Sequence, residues 1–260
     1  MPEGDTLART AAGLRPYLVG KPVTAARATA PGPQAERLVG ATVTGVEAAG
    51  KNLLIRFDNG LEVRTHLRMR GSWHRYRPGE RWLRAPSRAR LVLEVPGTVA
   101  VCFDAPTVEL FEQRTESLHP SLSRLGPDLL KEPVDVDDAI RRLRAAERRS
   151  MPIAVALLDQ RALAGIGNEV KNETLWVAKR SPWTPVEEID DDELRRLIDV
   201  AREQLRIGAV TGRRPRHIYD TAGRPCPRCG TSIRVIEQAS DLPRLTYWCP
   251  ACQPDPRNPR

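Results

Sequence analysis

Residues 50–67 read Gly50-Lys51-Asn52-Leu53-Leu54-Ile55-Arg56-Phe57-Asp58-Asn59-Gly60-Leu61-Glu62-Val63-Arg64-Thr65-His66-Leu67. Two apolar or alternating runs, Asn52–Phe57 and Glu62–Leu67, flank the turn residues Asp58-Asn59-Gly60, the pattern of two short strands. The pattern recurs outward from this pair. Thr42–Val46 precedes it, and Ala89–Val95, Val99–Phe103 and Val108–Phe111 follow, with Arg77-Pro78-Gly79 and Pro96-Gly97 among the intervening turns. So many short strands, so regularly punctuated, predict an antiparallel sandwich or barrel between Val23 and about Phe111. Ahead of it, Leu7, Ala8, Ala11, Leu14 and Leu18 recur at helical spacing and Gly20 supplies a stop, which predicts a leading helix over 7–18.

Beyond the strands the pattern changes. Residues 116–133 hold three prolines and few long apolar runs, and read as a linker. Helical signals follow at Val136–Ala146, at Ile153–Leu158 behind Pro152, and at Asn168–Lys179. Asp190–Ile207 is the clearest, with acids at its start and mostly basic charges later, as the helix dipole favours. The last 40 residues are rich in Pro, Cys, Gly and Arg and form a module of their own. The expected division is therefore 1–115, a linker over 116–133, a helical domain over 134–215 and a terminal module over 216–260.

The composition, 40% hydrophobic and 28% charged, is that of a folded soluble protein. No apolar run approaches the roughly 20 residues that span a bilayer, and the start lacks the basic-then-apolar order of a secretory signal. A cytosolic protein without membrane contact is expected. The net charge of +8 is unevenly spread. Residues 51–90 hold 11 Lys and Arg against 3 Asp and Glu, and residues 213–260 hold 9 Arg against 4 acids. Two basic tracts around a near-neutral middle point to a polyanion, most often nucleic acid, although solvated arginine-rich faces would give the same count.

Cys226-Pro-Arg-Cys229 and Cys249-Pro-Ala-Cys252 form two C-x₂-C knuckles. In a reducing compartment they supply four thiolates for one tetrahedral zinc, structural because no position is left open for substrate. Ser232–Glu237 and Leu245–Trp248 between them suit a two-stranded hairpin with its turn near Asp241. Cys102, in the apolar run Val99–Phe103, reads as an inert core thiol. In Leu163-Ala164-Gly165-Ile166-Gly167-Asn168-Glu169 two glycines permit a tight turn, and Asn168 is placed to cap the next helix. Such a helix start clamps phosphate, or it is an ordinary helix–turn–helix joint.

Lys51 is one of five lysines among 41 basic residues, a compact point charge where arginine is the rule. In His66-Leu67-Arg68-Met69-Arg70-Gly71 a methionine stands between two arginines, either buried or serving as an apolar wedge in a base stack. Finally, the start Met1-Pro2-Glu3-Gly4 has a small second residue, which normally lets the initiator methionine be removed. Pro2 would then be a free secondary amine titrating near pH 8, a nucleophile that forms an iminium with an aldehyde-like carbon. Glu3 beside it is a tethered acid or base.

Taken in order, these motifs resemble the formamidopyrimidine-DNA glycosylase and endonuclease VIII family of base-excision repair, over the whole chain. The resemblance implies an N-terminal β-sandwich with its leading helix, a helix–two-turn–helix domain and a zinc-finger hairpin, with damaged DNA in the cleft between two domains. It assigns the attack on C1′ to Pro2, protonation of the sugar ring oxygen to Glu3, and a proton-donor part in β-elimination to Lys51. Arg244 is linked to δ-elimination. DNA contacts fall to Lys51, His66, Arg68, Met69, Arg70, Asn168 and Arg244, with Met69 as the wedge that helps evert the base. Zinc falls to Cys226, Cys229, Cys249 and Cys252, and the enzyme is expected to be monomeric.

Gly4-Asp5 replaces the Leu-Pro usual in formamidopyrimidine-DNA glycosylases, and the 208–225 segment is short where enzymes for 8-oxoguanine carry a longer loop. Both favour oxidised pyrimidines. The rivals are an 8-oxoguanine and formamidopyrimidine glycosylase, and a non-catalytic abasic-site binder that kept only the scaffold. A zinc-ribbon interaction module would explain only the last 40 residues.

Overall fold

The structure, a computed structural model, describes residues 2–29, 31–238 and 244–254. It divides into two compact units, one ending at Ser123 and the other starting at Arg124, inside the stretch read as a linker.

The first unit opens with helix α1 (Gly4–Leu18) and eight strands: β1 (Ala25–Ala28), β2 (Val43–Ala49), β3 (Asn52–Phe57), β4 (Leu61–His66), β5 (Ser72–Tyr76), β6 (Ala89–Val95), β7 (Thr98–Phe103) and β8 (Thr107–Glu112). They form two four-stranded sheets, ordered β1-β6-β7-β5 and β2-β3-β4-β8, with every pairing antiparallel. Leu53, Ile55 and Val63 from one sheet and Leu91, Leu93, Ala100 and Cys102 from the other share a buried core. This is a sandwich, and the barrel alternative falls away. Leu7, Ala11, Leu14 and Leu18 carry α1 into that core, each buried leucine contributing about 1.5–3 kcal/mol over an exposed one.

Strands β1 and β5 are not visible in the sequence pattern. Both are sheet edges, paired only to β6 and β7 respectively, and their Ala-Ala-Arg-Ala and Ser-Trp-His-Arg-Tyr sequences are mostly half-buried. An edge strand takes its stability from the ladder of its neighbour, so its own apolar alternation can be weak. Helix α1 also begins earlier than its apolar spacing indicates. Glu3 is its N-cap residue and the Thr6 and Leu7 N–H groups already donate to the Glu3 carbonyl.

The second unit holds α2 (Val136–Leu143), α3 (Ile153–Ala156), α4 (Asn168–Val177), α5 (Asp191–Thr211) and a hairpin of β9 (Arg234–Gln238) and β10 (Arg244–Trp248). The turn expected near Asp241 lies outside the described residues. Helix α5 starts where its caps dictate: the Asp190 carboxylate accepts from the Glu193 N–H at 2.8 Å. Leu194, Leu197, Ile198, Ala201 and Leu205 line its buried face. Residues 126–129 are tied to this unit, with Gly126 N–H donating to Gln160, Ala164 N–H to Pro127 and Leu129 N–H to Ala164. Among the described residues no helix is long and apolar enough to cross a membrane.

Candidate active site and nucleic-acid interface

In the first unit, the β2–β3 connection is a two-residue loop, Gly50-Lys51, closed by the pair Ala49–Asn52. Gly50 has φ +56° and Lys51 follows with negative φ, the pattern of a type II′ hairpin, where only the first position needs glycine. The buried Asn52 amide holds the loop: Nδ2 donates to the Ala49 carbonyl at 2.9 Å and Oδ1 accepts from Arg64 Nε at 2.9 Å. Lys51 thus sits, half-buried, on a fixed turn.

Across the ladder Asn52 pairs with His66, and His66 with Thr107. The turn Arg68-Met69-Arg70 therefore leaves the same end of the sheet that carries Lys51. Helix α1 runs to that end too. Arg15 Nη2 donates to the Val46 carbonyl at 2.8 Å and Gly20 N–H to the Val43 carbonyl at 2.8 Å, so the helix runs against β2. Going back from Arg15 to Glu3 covers about 18 Å of helix while Val46 to Gly50 covers about 13 Å of strand. Glu3, 1% exposed, thus lies towards the Lys51 end of the sheet, with Pro2 half-buried beside it.

Met69 is 66% exposed, so it is no core methionine. Arg68 and Arg70 flank it on the surface, and Arg68 adopts φ +46°, a left-handed conformation that costs a non-glycine residue about 1 kcal/mol or more. His66 differs from them. Burial, followed by the charges of Arg64, Lys51 and Arg68, holds its imidazole down at about 4, so it is uncharged at neutral pH. Its Nδ1 is buried without a hydrogen-bond partner among the described residues.

Much of each basic tract is internally committed. Arg56 pairs with Glu47, Glu62 and Glu116, Arg64 with Glu109, and Arg84 and Arg88 with Asp104. In the second tract Arg214 and Arg216 hold Glu169, and the Arg228 guanidinium lies 4.0 Å from the Trp176 ring centre. The counts for the two tracts therefore overstate the cationic surface, because Glu47, Glu109, Glu116, Asp104 and Glu169 pair into them from outside.

In the second unit the Gly165–Asn168 turn is organised by Gln160, which sequence reading passed over. Its Oε1 accepts from Gly165 N–H at 3.0 Å, and its Nε2 donates to the Leu158 and Ile166 carbonyls. Asn168 does not cap α4. Gly167 is the N-cap residue and Asn168 is the first helical residue, whose Nδ2 donates to the Leu245 carbonyl at 3.0 Å. Asn168 already has helical geometry, one residue past the cap position, so its Oδ1 makes no capping bond and is buried without a partner among the described residues. The Nδ2 bond brings Asn168 and Arg244 together, since Arg244 immediately precedes Leu245.

The four cysteine Sγ atoms of the finger lie within 4.8 Å of one another, and none is in a disulfide. Cys229 Sγ lies 3.4 Å from Cys249 Sγ and 3.5 Å from Cys252 Sγ. Four thiolates around zinc at about 2.3 Å stand about 3.8 Å apart, so the donor set and spacing fit one zinc. The knuckles are closed by Gly230 N–H donating to the Cys226 carbonyl and Gln253 N–H to that of Cys249. The protein holds one structural zinc here. Cys102 is fully buried and its thiol is pushed up by that burial, which leaves it inert.

Comparison with known proteins bears on all three parts. The formamidopyrimidine-DNA glycosylase N-terminal domain matches residues 1–108, its H2TH domain residues 125–215, and the zinc finger found in FPG and IleRS residues 223–254. A probable endonuclease 8 2 of Streptomyces coelicolor is 40% identical, covering 98% of this chain and 95% of its own. The DNA-(apurinic or apyrimidinic site) lyase Nei2 of Mycolicibacterium smegmatis is 38% identical over 97% and 99%, and an endonuclease 8 of Escherichia coli 30% over 97% and 100%. Among solved structures, Lactococcus lactis Fpg (MutM) in complex with DNA containing N7-benzyl-Fapy-dG shares the fold at a TM-score of 0.83 and 23% identity, over 98% and 100% of the two chains.

Proposed function

Because the chain belongs to the formamidopyrimidine-DNA glycosylase and endonuclease VIII family, it is a DNA glycosylase and AP lyase of base-excision repair, and we propose that Pro2 is its nucleophile. The Pro2 amine attacks C1′ of the damaged nucleotide as the C1′–base bond breaks. Glu3 protonates the sugar ring oxygen, so the ring opens and an iminium forms on the protein. The iminium acidifies the C2′ hydrogens. Loss of one of them expels the 3′ phosphate, with Lys51 as proton donor, and a second elimination, assisted by Arg244, expels the 5′ phosphate. Arg68, Met69 and Arg70 stand in for the everted base, while Asn168 and Arg244 hold phosphates.

The observation that carries this reading is the placement of Glu3, Lys51 and the exposed Met69 towards one end of the second sheet. The preferred substrates are oxidised pyrimidines. In support, the 212–225 segment offers little slack for a purine-covering loop: Arg214 and Arg216 hold Glu169, and the N–H groups of His217, Ile218 and Tyr219 all donate to Glu173. The enzyme works as a monomer on DNA in the bacterial cytosol, in keeping with its bacterial relatives.

Borohydride trapping on an abasic oligonucleotide tests the nucleophile. Reduction of an iminium leaves a covalent adduct, which is expected with the native protein and lost when the N-terminal amine is blocked. An adduct that survives blocking would move the role to a lysine, Lys51 first. No adduct despite tight binding would favour the non-catalytic scaffold. Parallel cleavage of thymine glycol and 8-oxoguanine opposite cytosine tests the substrate, and faster cleavage of 8-oxoguanine would overturn the pyrimidine reading.

A further inference from the structure

Helix α4 is buried along almost its whole length although its sequence, Asn-Glu-Val-Lys-Asn-Glu-Thr, is mostly polar. Buried polar groups need partners: Glu169 and Glu173 find theirs in residues 214–219, and Asn168, Lys171 and Asn172 find theirs in β10. The Asn172 side chain pairs with the strand as another strand would. Its Oδ1 accepts from Tyr247 N–H at 2.9 Å and its Nδ2 donates to the Leu245 carbonyl at 3.3 Å and to the Asn168 carbonyl at 2.7 Å. An acceptor facing an N–H and donors facing two carbonyls leave only one orientation for this amide. Lys171, 1% exposed, adds Nζ to Thr246 Oγ1 at 2.9 Å and to the Leu245 carbonyl at 3.5 Å. With Asn168 Nδ2, three donors from one helix converge on a single carbonyl oxygen.

The Leu245 carbonyl and the Tyr247 N–H are separated by two residues, the repeat of an extended strand, and β9 occupies the other edge of β10. Sliding β10 by one residue would present the wrong groups to Asn172 and would put Leu245 where Arg244 stands. We propose that Asn172, supported by Lys171, is a positioning residue that fixes the register of β10 and so the placement of Arg244 next to Asn168. The inference rests on the reading of Arg244 as a phosphate contact that assists δ-elimination. Its chemical consequence is that the helical domain controls the second elimination through an amide that never touches DNA.

The test compares Asn172→Leu, which is close in size and lacks both hydrogen bonds to β10, with Arg244→Ala and the double variant. Each is measured for zinc content, for dissociation constant on abasic duplex, and for the share of β,δ- over β-elimination product. Asn172→Leu with full zinc is expected to weaken binding by up to the same factor as Arg244→Ala, because it acts by displacing that residue. It should lower the β,δ share in the same direction as Arg244→Ala. The double variant should fall no further than Arg244→Ala alone, because Asn172 acts through that residue. Full zinc with unchanged affinity and product share, while Arg244→Ala shifts both, would overturn the positioning role and leave the Arg244 reading intact. No effect of Arg244→Ala would overturn the reading on which the inference rests. Should Asn172→Leu lose zinc, Asn172→Asp decides by the same product share. It keeps the acceptor for Tyr247 and replaces the donor with a carboxylate facing the Leu245 carbonyl. A share equal to the native one there would overturn the inference.

Discussion

The Trp176 indole Nε1–H donates to Cys226 Sγ across 3.4 Å, a link from the helical domain directly to a zinc ligand. The indole is held on both faces, by the His217 ring at 4.5 Å and by the Arg228 guanidinium at 4.0 Å. A donor to a metal-bound thiolate disperses its charge and orients the ligand. Trp176→Phe keeps one aromatic ring for the stack and removes the donor with the pyrrole ring that carries it, so zinc should pass to a colorimetric chelator about threefold to tenfold faster. An unchanged release rate would show that the stack, not the N–H, holds the site.

The turn that presents Met69 is built on close backbone approach. A Cβ on Gly71 would come within 2.5 Å of the Leu67 carbonyl oxygen and 2.7 Å of its Cα, both backbone atoms with no freedom to yield. Gly71→Ala should therefore destabilise the first unit by about 1–3 kcal/mol in urea unfolding. Met69→Ala removes an exposed side chain and should change stability by less than about 0.5 kcal/mol. The same Met69 variant should nevertheless slow base release from duplex DNA. Equal unfolding midpoints for Gly71→Ala and the native protein would contradict the packing argument.

Glu62, at the buried centre of the Arg56, Glu47 and Glu116 cluster, supplies a pH dependence whose sign is unusual for a carboxylate. Burial pushes its carboxyl up to about 7, with Arg56 opposing and Glu116 adding to the rise. The folded protein then binds a proton more tightly than the unfolded chain, whose Glu titrates near 4.5. This contribution to stability is present in full below about pH 4.5 and is lost as pH rises through about 7. Glu62→Gln stays neutral throughout. Its unfolding midpoint relative to the native protein should be more favourable at pH 8 than at pH 5, and an identical difference at both values would remove Glu62 as the source.

The parts legible from sequence were those with a local chemical cause. Central strands such as Asn52–Phe57 announced themselves by apolar runs between turn residues, α5 by its acidic start, and the zinc site by two cysteine pairs whose spacing the metal itself requires. The edge strands β1 and β5 left little trace because Ala-Ala-Arg-Ala and Ser-Trp-His-Arg-Tyr carry no apolar run of their own, whereas β2 and β8, edges as well, carry one. The cap assigned to Asn168 failed because the helix starts one residue earlier, with Gly167 at the cap position, and its amide nitrogen instead donates to a carbonyl 77 residues further on.

For this protein the sequence by itself marked the family, the two-part architecture and the zinc, since each depends on residue type at short spacing. Only the tertiary structure decided which charges face outward and which are spent internally. It also neutralised His66 by burial and turned Asn172 and Lys171, polar residues in a buried helix, into the support of the strand that carries Arg244. Burial and long-range pairing change what a side chain does without changing its name, and neither is written in the local sequence.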